Sequence, residues 1–273
     1  MGTLYLVATP IGNLQDITLR ALDVLRAVSL VAAEDTRSAR QLLDHFGIKA
    51  RLTSYNEHNA RARTPSLLDA LAAGDVAVVS DAGMPGISDP GHHLVVAAVE
   101  AGHAVVPIPG ASAVVAAVAA SGLPSRRFHY LGFLPRQSGP RRAALRAAAA
   151  SGDTLVVYES PHRLRQTLAD ALAELGDRRI AACRELTKLY EEIWRGSVTG
   201  ALEHFAEPRG EFTLVIEGGP AAGIDGAGKA SDVGETIAEL RASGTPSRQA
   251  VAELMRRCGL ARRAAYAAWH RED

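Results

Sequence analysis

Lysine is nearly absent from this 273-residue chain: three of its 30 basic residues are lysine (Lys49, Lys188, Lys229) and the rest are arginine. Formal net charge is zero, so a polyanion partner cannot be argued from total charge, only from local patches. Cysteine is equally scarce. Cys183 and Cys258 are far apart and form no metal-spaced pair, which excludes a disulfide framework and a zinc finger and fits a reducing cytoplasm. No uninterrupted apolar run reaches the ~20 residues that a membrane helix needs. The most apolar stretch, 93–123, is broken by Glu100, His103, Pro107 and Pro109. The first residues, MGTLYLVATPIGN, lack the basic and apolar regions of a signal peptide. No H-E-x-x-H or G-x-S-x-G occurs, so metal and triad hydrolysis are unsupported. The first strand runs into TPIGN rather than G-x-G-x-x-G, which speaks against a nicotinamide-type Rossmann site.

What the chain does contain is an alternation of short apolar runs and helical periods. Strands are expected at 3–9, 29–34, 51–55, 75–79 and 103–110. Helices are expected between them at 16–28, 37–47, 64–75 and 92–102. Alternating β and α without hairpin signals indicates an open, largely parallel α/β sheet over 1–112. The pattern continues over 113–218 with strands at 128–134, 154–159 and 178–185, and with 189–198 and 210–218 as antiparallel strands around a short helix, which makes a mixed α/β second domain. GGPAAGIDGAGKAS (218–231) has little to bury and reads as a flexible linker over 219–231. Its half-match to a P-loop, Gly223-x4-Gly228-Lys229, lacks the following hydroxyl and the preceding strand. Residues 232–273 read as a small helical module, either a nucleic-acid-binding pair of helices or a dimerising tail.

In an open parallel sheet, ligands bind beyond the carboxyl ends of the strands. This sequence places Pro10-Ile11-Gly12-Asn13, Glu34-Asp35-Thr36-Arg37, Asn56-Glu57-His58-Asn59, SDAGMPGISDPG (80–91) and Gly110-Ala111-Ser112 there. Five polar, charged or glycine-rich loops at one edge favour a site. Glu34-Asp35-Thr36-Arg37 reads equally well as a helix N-cap, and Asp81 and Asp89 equally well as turn caps.

The segments ATPIGNLQDIT, EDTR, SDAGMPGISDPG, PIPGASA, YESPHR, CRELTK and GEFTLVIEG, in this order, resemble the ribosomal RNA branch of the tetrapyrrole methylase-like methyltransferases. The resemblance spans about 3–218. It implies two α/β domains with S-adenosylmethionine in the cleft between them, a homodimer, and no metal. It implies 2′-O-methylation of a cytidine ribose in the decoding region of 16S ribosomal RNA, on free RNA or on the 30S subunit. Carried over to this sequence, the cofactor would lie along Pro10, Asp81, Ala82, Gly83, Ser88, Asp89, Gly110, Ala111, Ser112, Thr213 and Leu214.

A ribose 2′-hydroxyl is a weak acid, so a general base should assist its methylation. Glu34 and Asp35 are the candidates, with Arg37 as a phosphate clamp and Glu159, His162 and Arg163 as rivals. Candidate RNA contacts are Arg126, Arg127, Arg136, Arg141, Arg142, Arg146, Arg256, Arg257, Arg262 and Arg263. The alternatives are a C-methyltransferase acting on a tetrapyrrole precursor or a modified protein histidine, and a non-catalytic RNA-binding assembly factor. A nucleotide-hydrolysing enzyme rests only on the defective P-loop match.

Overall fold

A computed structural model describes residues 2–219, 230–258, 260 and 262–270. The first sheet holds β1 (Thr3–Val7), β2 (Leu30–Ala33), β3 (Leu52–Ser54), β4 (Val76–Val79) and β5 (Ala104–Ile108). Its spatial order is β3-β2-β4-β1-β5, and every neighbouring pair is parallel. Helices α1 (Leu19–Ala27), α2 (Thr36–His45), α3 (Ala60–Ala73) and α4 (His92–Glu100) cover it.

The period-2 alternation of a strand explains why β4, VAVV, is apolar throughout. Ala77 and Val79 join a layer with Leu22, Leu25 and Leu43 of α1 and α2. Val76 and Val78 join the opposite layer with Leu67, Leu71 and Leu94 of α3 and α4. Each leucine fully buried in these layers stabilises the fold by about 1.5–3 kcal/mol.

Two helix starts differ from the sequence expectation. Residues 14–16 form a separate 3-10 turn capped by Asn13, and α1 begins only after Thr18, whose hydroxyl accepts from Ala21 N–H at 3.1 Å. Helix α3 starts before the expected position, so Pro65 lies inside it. Its entry is fixed by a reciprocal pair: Asn56 N–H donates to Asn59 Oδ1 (2.9 Å) and Asn59 N–H to Asn56 Oδ1 (3.2 Å). These asparagines therefore shape the backbone rather than line a site.

The second sheet holds β6 (Phe128–Phe133), β7 (Thr154–Glu159), β8 (Arg179–Arg184), β9 (Glu192–Ser197) and β10 (Phe212–Ile216), in the order β6-β7-β10-β8-β9. Only β6 and β7 are parallel. Strands β9 and β10 do not pair with each other; both run antiparallel to β8, one on each side of it. Helices α6 (Ser138–Ala149), α7 (Pro161–Leu175) and α8 (Val198–His204) cover one face. Helix α5 (Ala113–Ser121) follows β5 in the chain yet packs on the other face of this second sheet, through Val114, Ala117 and Val118 against Val156, Ala181 and Val215. The chain thus passes from one sheet to the other at 110–112.

Helices α9 (Ala230–Ala242), α10 (Ser247–Cys258) and α11 (Arg262–Trp269) share an apolar cluster of their own, centred on Leu240, Ala250, Leu254 and Ala265. The half P-loop 223–229 and most of the expected linker lie outside the described residues. No helix among the described residues is long and apolar enough to cross a membrane.

Candidate active site

Because β1 to β5 are parallel, their carboxyl ends share one edge, and the structure ties three of the loops there together. Thr9 N–H donates to Gly83 O (2.9 Å), Gly83 N–H donates back to Thr9 O (3.1 Å), and the buried Thr9 hydroxyl donates to Ser80 O (3.1 Å). Gly83 sits at φ +78°, a region that glycine enters without strain, and a Cβ there would lie 3.6 Å from Ala111 O. A Cβ on Gly110 would lie 2.9 Å from Ala8 Cβ, so only glycine permits that close approach. Pro10, Asp81, Ala82, Gly83, Gly110 and Ala111 are thereby brought together. Ser112 occupies the N-cap of α5, and its side chain makes no capping bond.

The carboxylates at this edge differ in what they can do. Asp35 caps α2, accepting from Arg37 N–H at 2.8 Å, and is gripped by the Arg37 guanidinium (Nη2 to Oδ2, 2.7 Å). The hydrogen bonds from Arg37 hold its carboxyl down at about 2. Glu34 accepts from Asp81 N–H at 3.2 Å, and burial, with Asp81 and Asp35 nearby, raises its pKa. Burial and the Asp35 charge raise Asp81 as well. Asp89 is pushed up to about 6, first by burial and then by the charge of Glu34, against a hydrogen bond from Ser80. Glu34, Ser88 and Asp89 line a cavity of ≈ 440 Å³ with His58, Arg61 and His92.

The second sheet closes the edge from the other side. Ser88, at φ +62°, places its hydroxyl 2.6 Å from Tyr130 Oη of β6. Tyr130 meets Tyr158 edge-on at 5.2 Å between ring centres, and burial raises both phenols. The register of β6 shifts between Tyr130 and Gly132, which has φ +61°. A glycine within a strand pattern signals such a bulge, and that signal in FHYLGFL would have pointed to Tyr130. The first loop also docks here: Asn13 N–H donates to Thr187 Oγ1 at 3.1 Å. A second cavity of ≈ 370 Å³ joins Pro10, Ser38 and Asp81 to Lys188 and Glu211. Lys188 Nζ bridges Glu185 (2.9 Å) and Glu211 (2.8 Å). Sequence reasoning assigned no role to Lys188, Tyr130 or Tyr158.

Thr213 is buried on the face of β10 that turns toward α5, beside Cys183 and Tyr158 in register. Leu214 directs its side chain into the opposite core and is fully buried, its strand paired with β7 on one side and β8 on the other. Two of the rivals in YESPHR, Glu159 and Arg163, have structural partners. Buried Glu159 accepts from Thr167 Oγ1 (2.6 Å), and Arg163 donates to Leu134 O (2.6 Å). Burial pushes the Cys183 thiol up to about 11, which removes it as a nucleophile. No group of three or more possible metal ligands occurs among the described residues.

Several arginines expected to meet RNA are already neutralised. Arg141 is buried and pairs with Asp170 at 2.7 Å; Arg142 and Arg146 share Glu174. Arg127 pairs with Asp153 and Arg257 with Glu239, both at 2.9 Å. The side chains of Arg256, Arg262 and Arg263 lie outside the described residues.

Residues 3–201 match the family model described as tetrapyrrole (corrin/porphyrin) methylases. A Halalkalibacterium halodurans protein named ribosomal RNA small subunit methyltransferase I is 54% identical over 220 residues, 80% of this chain and 76% of its own. A protein of the same name from Mesorhizobium japonicum is 46% identical over 268 residues, covering 96% of this chain and 90% of its own. Among solved structures, diphthine synthase superposes with TM-score 0.64 at 16% identity, over 80% of this chain and 90% of that one. Uroporphyrin III C-methyl transferase from Thermus thermophilus superposes with TM-score 0.56 at 20% identity, over 79% and 97%. These likenesses show the shared fold, and with the family match and the near relatives they establish that the chain belongs to the tetrapyrrole (corrin/porphyrin) methylase family.

Proposed function

We propose that this protein is an S-adenosylmethionine-dependent methyltransferase of small-subunit ribosomal RNA, acting on the 2′-hydroxyl of a cytidine ribose in the decoding region. The observation that carries the reading is the relative that matches 96% of the chain and is named ribosomal RNA small subunit methyltransferase I. A tetrapyrrole substrate rests on the fold alone, which hosts several chemistries.

The donor set suits the cofactor. Glu34, Asp81 and Asp89 repel one another in a partly buried edge, and a cation relieves that repulsion. When bound, S-adenosylmethionine supplies an electrophilic methyl carbon on a positively charged sulfur. The Pro10, Asp81–Gly83 and Gly110–Ser112 segments offer backbone groups to hold it, and Ser88, fixed by Tyr130, sets the loop carrying Asp89. Orienting the acceptor oxygen in line with that carbon lowers the barrier by several kcal/mol. Glu34 takes the proton from the 2′-hydroxyl. Asp35 is the poorer base, because Arg37 holds it ionised and occupied, and its role is to cap α2 and anchor Arg37.

Two copies of the chain assemble in this reading. The exposed Leu189 and Tyr190, at 89% and 69% accessibility, supply apolar surface beside Lys188 for a partner. Light scattering of the full chain tests the dimer. Calorimetry with S-adenosylmethionine, followed by methylation of 30S subunits, tests the activity. No cofactor binding would point to a non-catalytic assembly factor.

A further inference from the structure

The arginines of this protein are not equally available. Arg127, Arg141, Arg142 and Arg146 are committed to carboxylates, and Arg179 is paired with Glu217. Arg40 and Arg63, beside the Asp35-bound Arg37, line an open groove of ≈ 760 Å³ between α2, β3 and α3, with the hydroxyls of Thr36, Thr53 and Ser54. No acidic residue lines this groove. Arg40 is exposed and makes one long hydrogen bond, to Ala50 O at 3.4 Å. Arg63 is exposed, and among the described residues its side chain has no ion-pair partner. The groove also begins at the reaction edge, since Thr36 lies two residues beyond Glu34.

We infer that this groove carries the phosphate backbone of the RNA strand adjoining the target ribose, with Arg40 and Arg63 contacting its phosphates. Uncompensated guanidinium forks bind phosphate oxygens bidentately. The neighbouring threonine and serine hydroxyls are the side chains that commonly add hydrogen bonds to a nucleic-acid backbone. The groove is open and carries guanidinium and hydroxyl groups, so it suits an extended strand better than a small enclosed ligand. A strand lying in it delivers one nucleotide to Glu34 and Asp89. Arg37, tied to Asp35, forms the fixed lip between groove and carboxylates. This places substrate recognition on the first domain, rather than on the neutralised arginines of α6. The inference rests on the ribosomal RNA reading above.

The test compares wild-type protein with the double variant Arg40→Gln/Arg63→Gln, and with Arg142→Gln/Arg146→Gln as control. Binding to a 16S-derived decoding-region RNA is followed by fluorescence anisotropy between 50 and 200 mM salt. Removing two phosphate contacts should weaken binding about tenfold or more and make the log K against log salt slope shallower by about 1.4, at ~0.7 per phosphate of single-stranded RNA. The control should keep the wild-type slope. Calorimetric affinity for S-adenosylmethionine should be unchanged in the Arg40/Arg63 variant, which separates a lost RNA contact from a damaged cleft. Wild-type RNA affinity and slope in that variant would overturn the inference. A wild-type protein that binds S-adenosylmethionine but neither binds nor methylates the RNA would overturn the ribosomal RNA reading, and this inference with it.

Discussion

Ser88 Oγ and Tyr130 Oη stand 2.6 Å apart, one in the loop after β4 and the other on the first strand of the second sheet. That hydrogen bond ties the loop that carries Asp89 to the second sheet. Ser88 pays for its place with φ +62°, a conformation that costs a non-glycine residue of order 1 kcal/mol.

Tyr130→Phe removes the bond without removing the ring. The variant should fold normally but bind S-adenosylmethionine about three- to tenfold more weakly, as expected for one hydrogen bond worth 0.5–1.5 kcal/mol. Calorimetry checks this, and wild-type affinity would separate the Ser88 loop from cofactor binding.

Asp89 links stability to pH. Its folded pKa, about 6, lies above the unfolded value near 3.9. The folded state therefore binds more protons between those values, and stability falls as pH rises through the window. At pH 7 the penalty is fully present. Asp89→Asn should raise Tm at pH 7, by less than about 1 kcal/mol of stability once solvent screening of a half-buried group is allowed for, while lowering cofactor affinity. If a cation binds against Asp89, binding at pH 6 should release protons, measurable as a dependence of the calorimetric heat on buffer ionisation enthalpy.

The adjacent carboxylates should separate cleanly in turnover. Glu34→Gln should lower kcat by about 10²–10⁴-fold, the range for a lost general base. Asp35→Asn retains a good N-cap residue and should fall well short of that range. Equal losses in single-turnover methylation would contradict the assignment.

Much of this site was legible from sequence because a parallel sheet collects the loops after its strands at one edge. That rule needed only the β-α alternation, and it located Pro10, Glu34, Asp81, Asp89 and Gly110 together. It was silent on the second sheet's share: Thr213 and Leu214 came only from the resemblance, and Tyr130 and Lys188 depend on how strands pair across the chain. Strand β10 is central although it comes last in sequence, and no local pattern shows which of its faces meets α5. Arginine was the least legible residue. RRAALR in α6 looks like a basic cluster, yet it faces Asp170 and Glu174 on α7, about 30 positions away.

Arg141 makes that last point testable. Its side chain is 3% exposed and pairs with Asp170. Arg141→Ala should lower stability by about 1–3 kcal/mol, because it removes the charged hydrogen bonds of the largely buried Asp170 and leaves it Ser138. It should leave the salt dependence of RNA binding unchanged, where an RNA-contacting arginine would do the opposite.

The central claim is tested most directly by incubating the full-length protein with unmethylated 30S subunits and labelled S-adenosylmethionine, then mapping the label in 16S RNA. The account predicts incorporation at one cytidine of the decoding region, at a linkage made resistant to alkali by 2′-O-methylation, and its loss with Glu34→Gln. Label on a base, label elsewhere in the RNA, or transfer only to a tetrapyrrole would contradict it.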